Sequence, residues 1–224
     1  MEHTHIATRF DKDVDRIERL LENMADLVQT QFLMAMEALE ARDRDKAREV
    51  ARRDGEINAL DERIDKFSVR LIALRQPMAE DLRRVVSTLK VASNLERIGD
   101  YAKTMALRVD ALADQAPSRA AVTLLRRMTD LVVSMLDNVM QAYLDRDHAL
   151  AETVRLRDAE VDQLNDALLR EMLDWMAAAP ENVAPGVEVL FIAKNLERAG
   201  DRVGNIAEQA RFLITGEISK HWAD

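Results

Sequence analysis

One seven-residue phrase occurs twice in this chain, and it limits the folds open to it. Asn94-Leu95-Glu96-Arg97-Ile98-Gly99-Asp100 returns as Asn195-Leu196-Glu197-Arg198-Ala199-Gly200-Asp201, with six of the seven positions identical. The likeness spreads outward. Met24-Ala25-Asp26-Leu27-Val28 answers to Met128-Thr129-Asp130-Leu131-Val132, Arg42-Asp43 to Arg146-Asp147, and Arg53-Asp54-Gly55-Glu56 to Arg157-Asp158-Ala159-Glu160, all at an offset of 104. The phrase itself repeats at an offset of 101, so the loop Ala177–Pro185 must differ from its counterpart. A unit of about a hundred residues is longer than a solenoid repeat and marks the duplication of a domain.

Each unit is helical. Six Gly and four Pro in 224 residues leave little material for turns. From Arg9 the apolar residues Phe10, Val14, Ile17, Leu21, Met24 and Val28 recur at the helical period, and Gln31 falls on the same stripe. This predicts a first helix to Ala41, with Asp43 or Asp45 capping a second from Asp45 to Arg75. Leu71 and Leu74 belong to the stripe of the second helix. Gln76-Pro77 should end it, with Pro77 in the first turn of a third helix, Met78 to Leu112, whose buried stripe includes Leu82, Leu95, Ile98 and Leu107. The same scheme then restarts: Arg119 to Asp145, His148 to Ala178 and Ala184 to Gly216. The expected fold is all-α, two tandem antiparallel three-helix bundles. Residues 9–113 form the first, 119–216 the second, and 114–118 the linker. Residues 1–8 are expected to be a frayed polar tail; His3 and His5 there could chelate a metal, although a polar terminus is the simpler account.

Charge and composition exclude several functions. A net charge of -9 and a pI near 5.1 argue against a nucleic-acid partner. Without cysteine there are no disulfides, no thiolate chemistry and no Cys-based zinc site. No run of ~18 apolar residues could span a bilayer, and the N-terminus lacks the apolar segment of a signal peptide. A cytoplasmic protein without direct membrane insertion is expected.

The phrase places Glu96 with Asp100, and Glu197 with Asp201, one helical turn apart on one face. A single pair of this kind is most simply a solvated helix face. Here the pair is duplicated, and Gly99 and Gly200 precede the Asp residues inside helices, where Gly costs ~1 kcal/mol relative to Ala. Such a Gly implies close approach by another backbone or by the shell of a bound ion. The preceding helices carry similar pairs at matching positions, Asp54 with Asn58 and Asp158 with Asp162. If the faces meet, the first bundle gathers Asp54, Asn58, Glu96 and Asp100, and the second gathers Asp158, Asp162, Glu197 and Asp201. Crowded carboxylates repel unless cations neutralise them. An all-oxygen set suits divalent or trivalent Mg, Ca, Mn or iron ions, one or several per cluster.

Catalysis finds little support. The His residues, at 3, 5, 148 and 221, lie away from both phrases, so the pair of Glu-x-x-His motifs on two helices that di-iron oxidases use is absent. No phosphate-cradling Gly loop or nucleophile–base motif occurs. Arg83, Arg84, Arg97 and Arg198 could meet a phosphate, but helix-surface and helix-pair roles account for them more simply. The alternatives to a binding protein are a metal-dependent enzyme on a helical scaffold, or a structural bundle that oligomerises through exposed apolar stripes.

Three stretches carry a resemblance: Arg75-Gln76-Pro77 with Asp81-Leu82-Arg83, Leu95 to Asp100, and Leu196 to Asp201 followed by Arg202, Asn205-Ile206 and Glu208. Across nearly its whole length the chain resembles the PhoU family of bacterial phosphate-signalling regulators. The resemblance implies two three-helix bundles, and acidic pairs that hold metal clusters, iron in some members. The pairs correspond to Glu96/Asp100, Glu197/Asp201, Asp158/Asp162 and Asp54/Asn58, where Asn58 departs from the acidic pattern and weakens the first cluster. The resemblance also implies a non-enzymatic adaptor between the ATP-binding subunit of the phosphate ABC transporter and its sensor histidine kinase. Such an adaptor represses the phosphate-starvation (Pho) regulon when phosphate is plentiful and restrains uptake. It is held at the inner membrane by its partners, and a homodimer is expected.

Overall fold

A computed structural model of the chain describes residues 2–217, with side chains from Phe10 onward. The side chains of His3 and His5, and all of His221, lie outside the described residues. Among those described there are six α-helices and no strand: α1 Glu2–Ala41, α2 Arg44–Arg75, α3 Glu80–Leu112, α4 Arg119–Asp145, α5 His148–Ala178 and α6 Val183–Thr215. A short 3-10 helix, Pro180–Asn182, joins α5 to α6.

The turns obey the capping chemistry of their residues. Arg42 adopts a left-handed conformation, and Asp43 Oδ1 then accepts from the amides of Asp45 and Lys46, both at 3.0 Å. The second copy repeats the device: Arg146 is left-handed, and Asp147 Oδ1 accepts from the amide of Leu150 at 3.0 Å. Gly216, at φ 73°, ends α6.

Two helix starts differ from expectation. Helix α1 begins at Glu2, because residues 2–8 contain neither Gly nor Pro to stop it. Pro77 lies in the link before α3, not in its first turn. Gln76 closes α2 in a left-handed conformation and Ala79 also has positive φ, so α3 starts only at Glu80, with Glu80 and Asp81 suiting its positive end. Pro185 is buried in the first turn of α6, as the expected start at Ala184 placed it, where its missing N–H has no intrahelical partner to lose.

Helices α1, α2 and α3 form one bundle and α4, α5 and α6 the other. The bundles meet through α3 against α6 and α1 against α4, while α2 and α5 flank the outside. The central pair runs antiparallel: Lys90 approaches the Phe212 ring, and Arg108 meets Glu188 at 2.5 Å and the Phe191 ring at 4.2 Å. Buried side chains from both bundles make one contiguous core. Across the junction, the Tyr143 and Thr88 hydroxyls lie 3.1 Å apart, and burial pushes the Tyr143 phenol up to about 12. Glu18 receives both Arg146 at 2.7 Å and Arg84 at 3.3 Å.

The stripes are as expected at Val14, Ile17, Met24, Leu95 and Ile98, and Gln31 is buried with them. Leu74, Leu82 and Leu107, expected inside, are exposed. Leu74 and Leu82 flank the α2–α3 turn, and with Val69 and Met78 they leave that end apolar. Leu173, Val183, Val187 and Phe191 do the same around the α5–α6 turn.

Candidate metal centre

The buried residues of α3 and α6 fix which way the phrases face. Leu95, Ile98 and Ala102 point into the core from α3, and Leu196, Ala199 and Val203 from α6. Glu96 and Asp100 are thereby set on the flank toward α2, and Glu197 and Asp201 on the flank toward α5. The Gly residues permit these flanks to close. A Cβ on Gly99 would stand 2.9 Å from Ile57 Cδ1, and one on Gly200 would stand 2.9 Å from Asp158 Oδ1. The close neighbour is in each case a side chain of the facing helix, not its backbone.

In the first seam, between α2 and α3, Asp54 is 2% exposed. Its Oδ2 accepts from the Lys103 ammonium at 2.8 Å and from Asn58 Nδ2 at 3.2 Å, while its Oδ1 is buried without a partner. The bond to Asp54 holds Lys103 above the usual lysine range. Burial, then the neighbouring Asp100, pushes the Glu96 carboxyl up, with smaller contributions from Asp61 and Asp54. Arg97 lies 3.5 Å from both Glu96 and Asp100. Asp61 is itself raised by burial and by Asp65.

The second seam, between α5 and α6, has Asp162 in place of Asn58 and no counterpart of Lys103. Asp158 is half-buried and pushed up to about 6, by burial first and then by Asp201, Asp162 and Glu197. Asp201 is raised by burial, Glu197 and Asp162. The four sequence-predicted side chains therefore share one electrostatic neighbourhood. Lys194 meets Glu197 at 2.6 Å at the margin, but no cation pairs with Asp158 among the described residues. At the place of Lys103, the second copy has Gly204.

These donors suit a hard cation unequally. The second seam joins four carboxylates from two helices, all oxygen, with mutual repulsion that a cation would relieve. The first seam already spends its most buried carboxylate on Lys103. Among the described residues no three His, Asp or Glu side chains are gathered tightly enough to clasp an ion as they stand, so closing on one takes rotation of their χ angles. His148, at the first position of α5, is exposed.

Sequence reasoning passed over Lys103 and Asp61. Setting position 103 against 204 at the phrase's own offset would have revealed the lysine. Of the four arginines weighed for phosphate, Arg84 pairs with Glu18, Arg97 with the first seam, and Arg83 lies 3.5 Å from where a Gly216 side chain would begin. Arg198 borders a groove that Arg155, Arg202 and Tyr101 also line.

Comparisons with known proteins bear on the fold and the family. The family model described as PhoU domain matches twice, at residues 21–109 and 125–210, one match per bundle. A Rhizobium meliloti protein named phosphate-specific transport system accessory protein PhoU homolog is 34% identical, with 96% of this chain and 91% of that one covered. A Caulobacter vibrioides protein of the same name is 37% identical, covering 95% and 93%. The crystal structure of PhoU from Pseudomonas aeruginosa superposes with a TM-score of 0.88 at 32% identity, over 93% of this chain and all of that one. The phosphate transport system regulatory protein PhoU from Streptococcus pneumoniae gives 0.87 at 30%, over 94% and 99%. With the duplicated acidic phrase, the paired bundles and relatives matched along nearly their whole length, the chain belongs to the PhoU family.

Proposed function

We propose that this chain is a non-enzymatic adaptor that links the ATP-binding subunit of a phosphate ABC transporter to a sensor histidine kinase. In this role it represses the Pho regulon and restrains uptake when phosphate is plentiful. The observation that carries the reading is the full-length match, in both repeats, to relatives named as accessory proteins of the phosphate-specific transport system. No helix among the described residues is long and apolar enough to cross a membrane. The adaptor would be cytoplasmic, reaching the inner membrane through its partners. The apolar ends around Met78 and Phe191 support a contact surface for those partners or for a homodimer.

Asp158 and Asp162 on α5, with Glu197 and Asp201 on α6, would hold iron, Mn, Mg or Ca, as one ion or a small cluster. A bound cation supplies the charge that lets the four carboxylates approach. The first seam, Asp54, Asn58, Glu96 and Asp100, would bind more weakly, because an ion there must displace Lys103. By drawing α5 onto α6, the second seam would set the position of the outer helix and so the surface offered to partners.

The test is affinity capture of the transporter's ATP-binding subunit and of the kinase by the Mn²⁺-loaded chain, by the chelated chain and by the Asp158→Asn/Asp201→Asn variant. Capture of both partners that weakens in the last two supports the reading. Capture of neither sinks the adaptor role. Equal capture by all three sinks the metal-dependent surface.

A further inference from the structure

We propose that the groove beside the second seam binds a small tetrahedral oxyanion of the phosphate type. The groove encloses about 690 Å³ where α3, α5 and α6 meet. Arg198 and Arg202 stand one turn apart on α6, Arg155 comes from α5, and Tyr101 and Asn205 add a phenol and an amide. Three guanidiniums and two neutral donors from three helices exceed what a carboxylate's two oxygens can use. They suit an anion with four oxygens, which guanidinium forks grip well.

Arg198 and Arg202 make no hydrogen bond or close ion pair with another described residue, although Arg202 lies near enough to Asp201 to favour its charged form, whereas Arg155 is held by Glu152 at 3.0 Å. The first bundle shows what the alternative looks like. There Arg97, the counterpart of Arg198, lies against Glu96 and Asp100, Arg202 is replaced by Tyr101, and Arg155 by Ala51. The duplication has therefore left these three cations together in the second copy and not at the matching positions of the first.

Asp158, Asp201 and Glu208 also line the groove and would repel an anion. A cation held by Asp158 and Asp201 removes most of that repulsion, so cation and oxyanion should bind with positive coupling, each tightening the other by the same factor. The coupling rests on the metal reading above; the arginine groove does not.

The experiment titrates inorganic phosphate calorimetrically into the full chain, metal-free and Mn²⁺-loaded, with bound manganese measured separately. The expected result is one saturable phosphate site, at least tenfold tighter with manganese. In Arg198→Gln/Arg202→Gln it weakens at least tenfold, with manganese content and melting temperature unchanged. Phosphate binding that saturates equally in that variant overturns the assignment, as does no saturation in the wild type with manganese bound. If the chain takes up no manganese, the metal reading fails by itself. The groove is then judged on the metal-free titration, where saturation that the variant abolishes upholds it and no saturation overturns it.

Discussion

Lys103 and Gly204 hold the same place in the two copies, and this difference, with Asn58 in the first where the second has Asp162, divides the seams. Lys103 hands its ammonium to buried Asp54 at 2.8 Å; Gly204 leaves Asp158 among three other carboxylates. A Cβ on Gly204 would meet nothing within 4 Å, so the site can accept a side chain. Gly204→Lys should therefore stabilise the metal-free chain, by about 1 kcal/mol from helix propensity alone, and abolish the manganese-dependent rise in melting temperature. The reciprocal Lys103→Ala should cost about 2 kcal/mol by leaving the Asp54 charge buried and unpaired, and should let the first seam take up metal. Calorimetric melts with and without manganese read both effects. Protons compete for the same oxygens. Because the Asp158 carboxyl is raised to about 6, its preference for the folded state is full below the ordinary Asp range and is lost as pH rises through about 6. The metal-free chain should thus lose stability across that interval, by no more than ~1 kcal/mol since the seam is half open to water. Manganese affinity should climb over the same interval; an affinity flat from pH 5 to 7 would remove Asp158 from the ligand set.

The helix pairs α2–α3 and α5–α6 owe their closeness to Gly99 and Gly200, but the two contacts differ in kind. Gly99 clears Ile57, an apolar side chain, and Gly200 clears Asp158 itself. Gly99→Ala should shift melting temperature and leave second-seam metal affinity alone. Gly200→Ala should push the Asp158 carboxylate aside and weaken manganese binding at least tenfold, as seen by isothermal titration. Much of this scale was legible beforehand. The 3.6-residue stripes and the Asp43 and Asp147 caps are local properties, so helix number and most boundaries followed from them. Pro77 did not, because which turn a proline occupies depends on how the chain must travel between two packed helices. Asp54, Glu96, Asp158 and Asp201 were visible as spaced pairs. Lys103 stands out from Gly204 when the copies are aligned, but its partner Asp54 emerged only once α3 was laid against α2, and the arginine groove needed α3, α5 and α6 together.

The whole molecule is two copies of one bundle joined along α3 and α6, with a shared core and a junction that includes the buried Tyr143–Thr88 hydroxyl pair. A chain cut to residues 119–224 would keep the second seam but expose the α4 and α6 surfaces that face α1 and α3. It should self-associate and melt well below the intact protein, by light scattering and circular dichroism; a stable monomer would contradict the shared core. The duplication supplied two equivalent seams, and the sequence has since treated them differently. One is neutralised from within by a lysine, and the other is left acidic beside a cationic groove. The most direct test of that division is a crystal of the full chain soaked in manganese, with data collected at the manganese absorption edge. The account predicts a strong anomalous peak among Asp158, Asp162, Glu197 and Asp201, and a weaker one or none among Asp54, Asn58, Glu96 and Asp100. No peak at the second seam, or a stronger one at the first, would contradict it.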